Sequence, residues 1–178
     1  MNKAAIATAL ALALALAAPL AHADKLKVRL TGYQEVPSSL SSGGVGQFEA
    51  EIKKNELGDI SIPWTLSYND GFSSPILQAH IHFGQRHTNG GISIFLCTNL
   101  GNGPAGTQPC PAGPATISGT ATAADVIGPA GQLIAAGEIE EIVAAIQRGV
   151  AYVNIHTTMF PGGEVRGQFR RGNGHHHH

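Results

Sequence analysis

The chain has 178 residues, with 11 basic against 12 acidic side chains and a formal net charge of −1. That length suits one domain with a closed hydrophobic core. The near-neutral balance, without a basic cluster, excludes nucleic acid and anionic membrane surfaces as expected partners.

The first element in chain order is an export signal. Lys3 supplies a positive charge, Ala4 to Leu20 carries no charge, and Ala21-His22-Ala23 has the small-x-small pattern of a cleavage site. A permanent membrane anchor is the competing reading, but the run is short and Ala-rich, and Pro19 stands where cleavable signals break. The expectation is therefore a signal peptide over 1–23, a single domain over 24–170 and a polar tail over 171–178. No later segment has the apolar length of a membrane span, and the expected location is periplasmic or secreted. The closing His175 to His178 are either a natural metal-scavenging tail or the remnant of an affinity tag.

Short alternating segments separated by turn residues follow. Leu26 to Leu30 is predicted as the first strand, with Leu26, Val28 and Leu30 in phase. Ser38 to Gly44 is a Ser/Gly loop, and Val45 to Ile52 is a second strand with Phe48, Ala50 and Ile52 on one face. Ile60 to Tyr68 is the third, where Pro63 predicts an edge position or a bulge. Ile76 to Phe83, Ile92 to Cys97 and Ala115 to Ala121 come next, and Tyr152 to Thr157 and Glu164 to Phe169 close the set. Glu138 to Gln147 breaks the pattern: Ile139, Ile142, Val143 and Ile146 fall at helical spacing, with acidic residues in the first turn. Eight short strands predict an all-β fold, an antiparallel Greek-key β-sandwich or barrel with one short amphipathic helix.

Cys97 and Cys110 are the only cysteines, and in an oxidising compartment a lone pair is expected to form a disulfide. Closing the Gly/Pro-rich loop between them would contribute roughly 3 kcal/mol. Two thiolate metal ligands are the alternative, weakened by the lack of a CxxC or paired His nearby.

The histidines are the concentrated chemical signal. Strand alternation puts His80 and His82 on one face, about 7 Å apart at Cα. In the late strand, Val153 and Ile155 take the core phase, which leaves Tyr152, Asn154 and His156 on the outer face. His87 follows in the loop after the first pair. An HxH pair with a third imidazole in matching phase can assemble a surface copper or zinc site. The alternative is ordinary exposed or hydrogen-bonded histidines. Met159 could add a thioether, although a Met beside Phe160 more often packs. Glu164 and Arg166 share a strand face and are expected to form an exposed ion pair worth well under about 1 kcal/mol. No GxSxG, phosphate-binding glycine loop, HExxH or dinucleotide fingerprint occurs.

The stretches Leu30-Thr31-Gly32-Tyr33-Gln34-Glu35-Val36-Pro37, Ala79-His80-Ile81-His82-Phe83-Gly84, Tyr152-Val153-Asn154-Ile155-His156-Thr157 and Phe160-Pro161-Gly162-Gly163-Glu164-Val165-Arg166-Gly167-Gln168 resemble the CHRD (chordin-type) domain from about Lys25 to Phe169. The resemblance implies an exported sandwich of immunoglobulin-like or superoxide-dismutase-like type and leaves activity open, since such domains occur in bacterial secreted proteins and in extracellular growth-factor binders. More distantly, His80-Ile81-His82 is similar to the paired copper ligands of copper/zinc superoxide dismutase, with His156 where a further ligand is expected. No histidine-rich zinc loop follows His82, and only His87 is available as a bridge. That departure argues against zinc binding and dismutation. The expectation is therefore a copper site of His80, His82 and His156, partly open to solvent. An extracellular or periplasmic protein-interaction module without metal is the rival, and a redox enzyme ranks last.

Overall fold

In the computed structural model, residues 24–171 are described. The signal segment expected over 1–23 and the tail histidines lie outside the described residues. The strands are β1 (Asp24–Thr31), β2 (Val45–Lys54), β3 (Ile60–Tyr68), β4 (Ile76–Phe83), β5 (Gly91–Thr98), β6 (Ala115–Ala121), β7 (Ala151–Thr157) and β8 (Val165–Gln168). One α-helix, α1 (Ile139–Arg148), precedes β7. Among the described residues no helix is long and apolar enough to cross a membrane.

Alternation explains how these segments pair. Val28 lies opposite Phe48, Phe48 opposite Leu66, and Leu66 opposite Ile117, so a row of buried apolar side chains runs across four strands. Ile94, Ile81 and Val153 make the equivalent row on the other half. Both rows face one core, to which α1 adds Ile139, Ile142 and Ile146. The hydrophobic effect selects this register, because a one-residue slip would turn each row to the opposite face.

The sheet order is β5-β4-β7-β8-β1-β2-β3-β6, with every pair antiparallel. Hairpins join β1–β2–β3, β4–β5 and β7–β8, while the connections after β3, β5 and β6 cross to distant positions. The two outermost strands approach each other. Ile94 bridges Val126, and the Gln108 side-chain amide donates to Leu96 O (3.3 Å) in β5 and Ser118 O (3.1 Å) in β6. The result is the expected all-β fold, close to a closed barrel. Gly167 is required where β8 meets β1, since a Cβ there would stand 2.5 Å from Val28 Cγ1 and 2.6 Å from Arg29 O.

The structure corrects the reading of Pro63. β3 lies between β2 and β6, so it is no edge, and its register holds on both sides. Pairing with β2 lapses between Ala50–Trp64 and Lys53–Ser61, the stretch where proline has no N–H to donate.

The disulfide is formed, Cys97 to Cys110, with Cα atoms 5.1 Å apart. Asn99 holds the same loop, donating to Ile76 O and Cys110 O and accepting from Cys110 N. Changing both cysteines to Ser is expected to lower stability by about 3 kcal/mol through loop-closure entropy. A urea midpoint unchanged from the parent protein would refute this.

Candidate metal centre

The site is built on β4 and its neighbour β7. Ala79 and Ile81 turn into the core, which sends His80 and His82 to the other face. Across the ladder, His82 pairs with Tyr152, His80 with Asn154 and Gln78 with His156, so the third histidine joins the first two. On the β5 side the register shifts between Ala79 and His80 and again between Ile81 and His82. Irregularities of this kind re-aim side chains. One ring nitrogen from each of His80, His82 and His156 lies within 4.8 Å of the others.

This face is not the surface that alternation predicted. His80 is 0 % exposed, His82 6 % and His156 5 %, and β7 is buried along its whole length. Three connections cover it. Glu35 accepts a hydrogen bond from Asn154 Nδ2 (2.7 Å), Gly90 N–H donates to the Tyr152 hydroxyl (3.1 Å), and Pro161 O lies 2.9 Å from His156 Nδ1. A site partly open to solvent is thereby corrected to an enclosed one. His87 falls outside the cluster, on an exposed loop with φ 66°, and Met159 is also exposed.

Burial sets the protonation. It holds His80 down to about 2, with the neighbouring His156 and His82 adding to the effect. His82 and His156 are both held at about 4, again chiefly by burial, with His156 and Arg166 further lowering His82. Neutral imidazole has one N–H and one lone pair. His82 Nδ1 faces Gly90 O at 3.0 Å and His156 Nδ1 faces Pro161 O. A carbonyl only accepts, so both Nδ1 atoms carry the proton and both Nε2 atoms present lone pairs. His80 Nδ1 then donates to His156 Nε2 (3.1 Å). His80 Nε2 and His82 Nε2 are buried and have no partner among the described residues.

These residues fit a metal ion: His80 and His82 present free Nε2 atoms, and His156 Nε2 would join them by giving up the hydrogen bond from His80 Nδ1. Orphaned buried acceptors are costly unless something electropositive meets them. Main-chain carbonyls holding Nδ1–H are the outer-shell arrangement that fixes the tautomer of a ligating histidine. His87 could add no ligand without moving its loop.

The surroundings are aromatic and cationic. Phe95 stands edge-on to His80 with ring centres 4.4 Å apart. Tyr152 stacks on His82 at 4.7 Å and 3°, and the Arg166 guanidinium carbon lies 3.4 Å from the Tyr152 ring centre.

The expected exposed Glu164–Arg166 pair is also corrected. Both side chains are buried, and they turn to different partners. Glu164 accepts from Ser42 Oγ, Ser73 N, Ser73 Oγ and Thr157 Oγ1. Burial alone would raise its pKa, but these hydrogen bonds outweigh it and hold the carboxyl below its ordinary value. Arg166 donates to Thr88 O, Gln85 O and Gln168 Oε1. Sequence reasoning missed Glu35 as a member of this region: nothing in its loop context indicates that it is buried against Asn154.

Compared with protein-family profiles, residues 26–169 match the CHRD domain. No curated protein and no solved structure matches the chain.

Proposed function

The chain belongs to the CHRD domain family, and on that premise we propose that it is an exported protein holding one copper ion through His80, His82 and His156, for binding, storage or delivery. The observation that carries this reading is the pair of buried, partnerless Nε2 atoms at His80 and His82 beside His156. A set of three neutral imidazoles, without thiolate or carboxylate, suits copper or zinc, and copper binds such nitrogen sites more tightly. Enclosure by Phe95, Tyr152 and the three covering loops favours retention of an ion over turnover, which needs an open position. The Cys97–Cys110 disulfide supports export to an oxidising compartment.

Copper titration of a chain ending at Arg171, which removes the tail histidines, tests the reading. About one tightly bound ion per chain is expected, with a nitrogen-rich EPR spectrum after oxidation. Changing all three histidines to Ala should abolish binding while the circular dichroism spectrum is kept. Undiminished binding in that variant would sink the assignment.

The rival reading is a protein-interaction module. Its support is Leu133, 93 % exposed with a left-handed backbone at φ 64°, on a loop tied down by Gln132 bonds to Gly91 N and Phe83 O. Absence of copper binding combined with loss of partner capture on Leu133→Ser would favour it.

A further inference from the structure

A recess of about 180 Å³ lies beside the histidine cluster, lined among others by Tyr33, Glu35, Arg86, His87, Arg166 and Gln168. β7 runs between β4 and β8, so Tyr152 stands between His82 of β4 and Arg166 of β8. Segments far apart in the chain meet here: the turn after β1, the β4–β5 loop and β8.

We propose that this recess binds a small carboxylate, held by Arg166 at its floor and Arg86 at its rim. Arg166 is 2 % exposed, yet the ion pairs among the described residues are Lys27–Glu49 and Lys53–Glu51, and neither includes it. Its three hydrogen bonds go to two main-chain carbonyls and the Gln168 amide oxygen. A guanidinium has five N–H groups, and these bonds engage three of them, all on Nη1 and Nη2, leaving the others free of acceptors among the described residues. A buried cation without a salt-bridged counter-ion is costly. Arg86 adds to the excess, being near enough for its charge to act on Arg166.

Glu35 is the one carboxyl in the lining. It is committed to Asn154, and burial raises its pKa to about 7, so its charge offsets the two arginines only in part. A planar guanidinium matches the geometry of a carboxylate. At the mouth, the ring of Tyr33 is 70 % exposed and offers an apolar surface for the carbon part of the ligand. The rim also holds the left-handed His87, a strained conformation of the sort that collects at binding sites.

The site does not depend on whether the histidines hold a metal, and its test needs none. Sodium acetate and sodium benzoate are titrated into the ¹⁵N-labelled protein at pH 7 and constant ionic strength, with sodium chloride and sodium phosphate as separate arms. Saturable amide shifts at Tyr33, Arg86 and His87 are expected from the carboxylates and not from chloride. Arg86→Gln, an exposed change that leaves the fold alone, should weaken carboxylate binding about tenfold. Glu35→Gln should strengthen it several-fold, because the competing negative charge is gone. Carboxylate shifts no larger than those of chloride would overturn the proposal, as would affinity unchanged by Arg86→Gln. Saturation by phosphate alone would overturn it too.

Discussion

Lowering the pH from 7 to 5 is expected to destabilise the metal-free protein by on the order of 4 kcal/mol. His80, His82 and His156 are held well below the ordinary value of 6.5. The unfolded chain therefore takes up protons that the folded protein refuses, and the stability they support is lost as pH falls below about 6.5. By pH 5 each imidazole costs about 2 kcal/mol. Glu35 works in the opposite sense. Its folded pKa of about 7 lies above the ordinary 4.5, so the folded protein binds its proton first and gains about 2 kcal/mol over the same interval. Urea midpoints at the two pH values measure the net loss, and Glu35→Gln should steepen it. A midpoint that rises on acidification, the effect of Glu35 alone, would show that the histidines titrate normally. Bound copper should raise stability at both pH values and leave this slope unchanged between them, because the folded imidazoles are unprotonated with or without it.

Glu164→Ala should destabilise the fold by about 3 kcal/mol. The carboxylate of Glu164 joins three parts of the chain through four hydrogen bonds: Ser42 before β2, Ser73 after β3 and Thr157 at the end of β7. Alanine would leave the buried Thr157 hydroxyl without an acceptor, untie the half-buried Ser42 and the exposed Ser73, and open space between the loops. Glu164→Gln keeps one acceptor oxygen and should cost about half as much. Because the carboxyl is held below its ordinary value, its contribution is present above that value and disappears as pH falls through the lowered one. The acid limb of the stability curve should therefore flatten in the Gln variant. A loss under about 1 kcal/mol for Glu164→Ala would mean that the loops hold themselves.

The strands were legible because a single physical rule made them. Leu26, Val28 and Leu30, or Ile60, Ile62, Trp64 and Leu66, alternate since one face of each strand meets the core. The same rule put His80, His82 and His156 together, and the ladder pairing of β4 with β7 agrees. What alternation cannot report is a second covered face. It marks residues as facing away from the main core, and the step from there to "exposed" failed at His80, Tyr152, Asn154 and Arg166. Loops that are distant in sequence close over them, through Glu35, Gly90 and Pro161. The tautomers, the orphaned nitrogens and the recess beside Arg166 all depend on that cover. None of them has a periodic signature. Pro63 failed differently: a missing donor can be absorbed by a local gap in the ladder, with no need of an edge.

The Gln108 amide that spans Leu96 O and Ser118 O also bears on how copies of this protein behave toward one another. Every sheet that ends in an open strand offers a template on which another chain can grow, and crowded solutions turn such templates into fibres. Here one side chain spans the two terminal strands, taking up Leu96 O and Ser118 O and standing where a newcomer would pair. The loop that carries Gln108 is fastened by Cys97–Cys110. Reduction would thus release more than chain entropy: it would unlatch a guard and leave β5 and β6 as sticky ends.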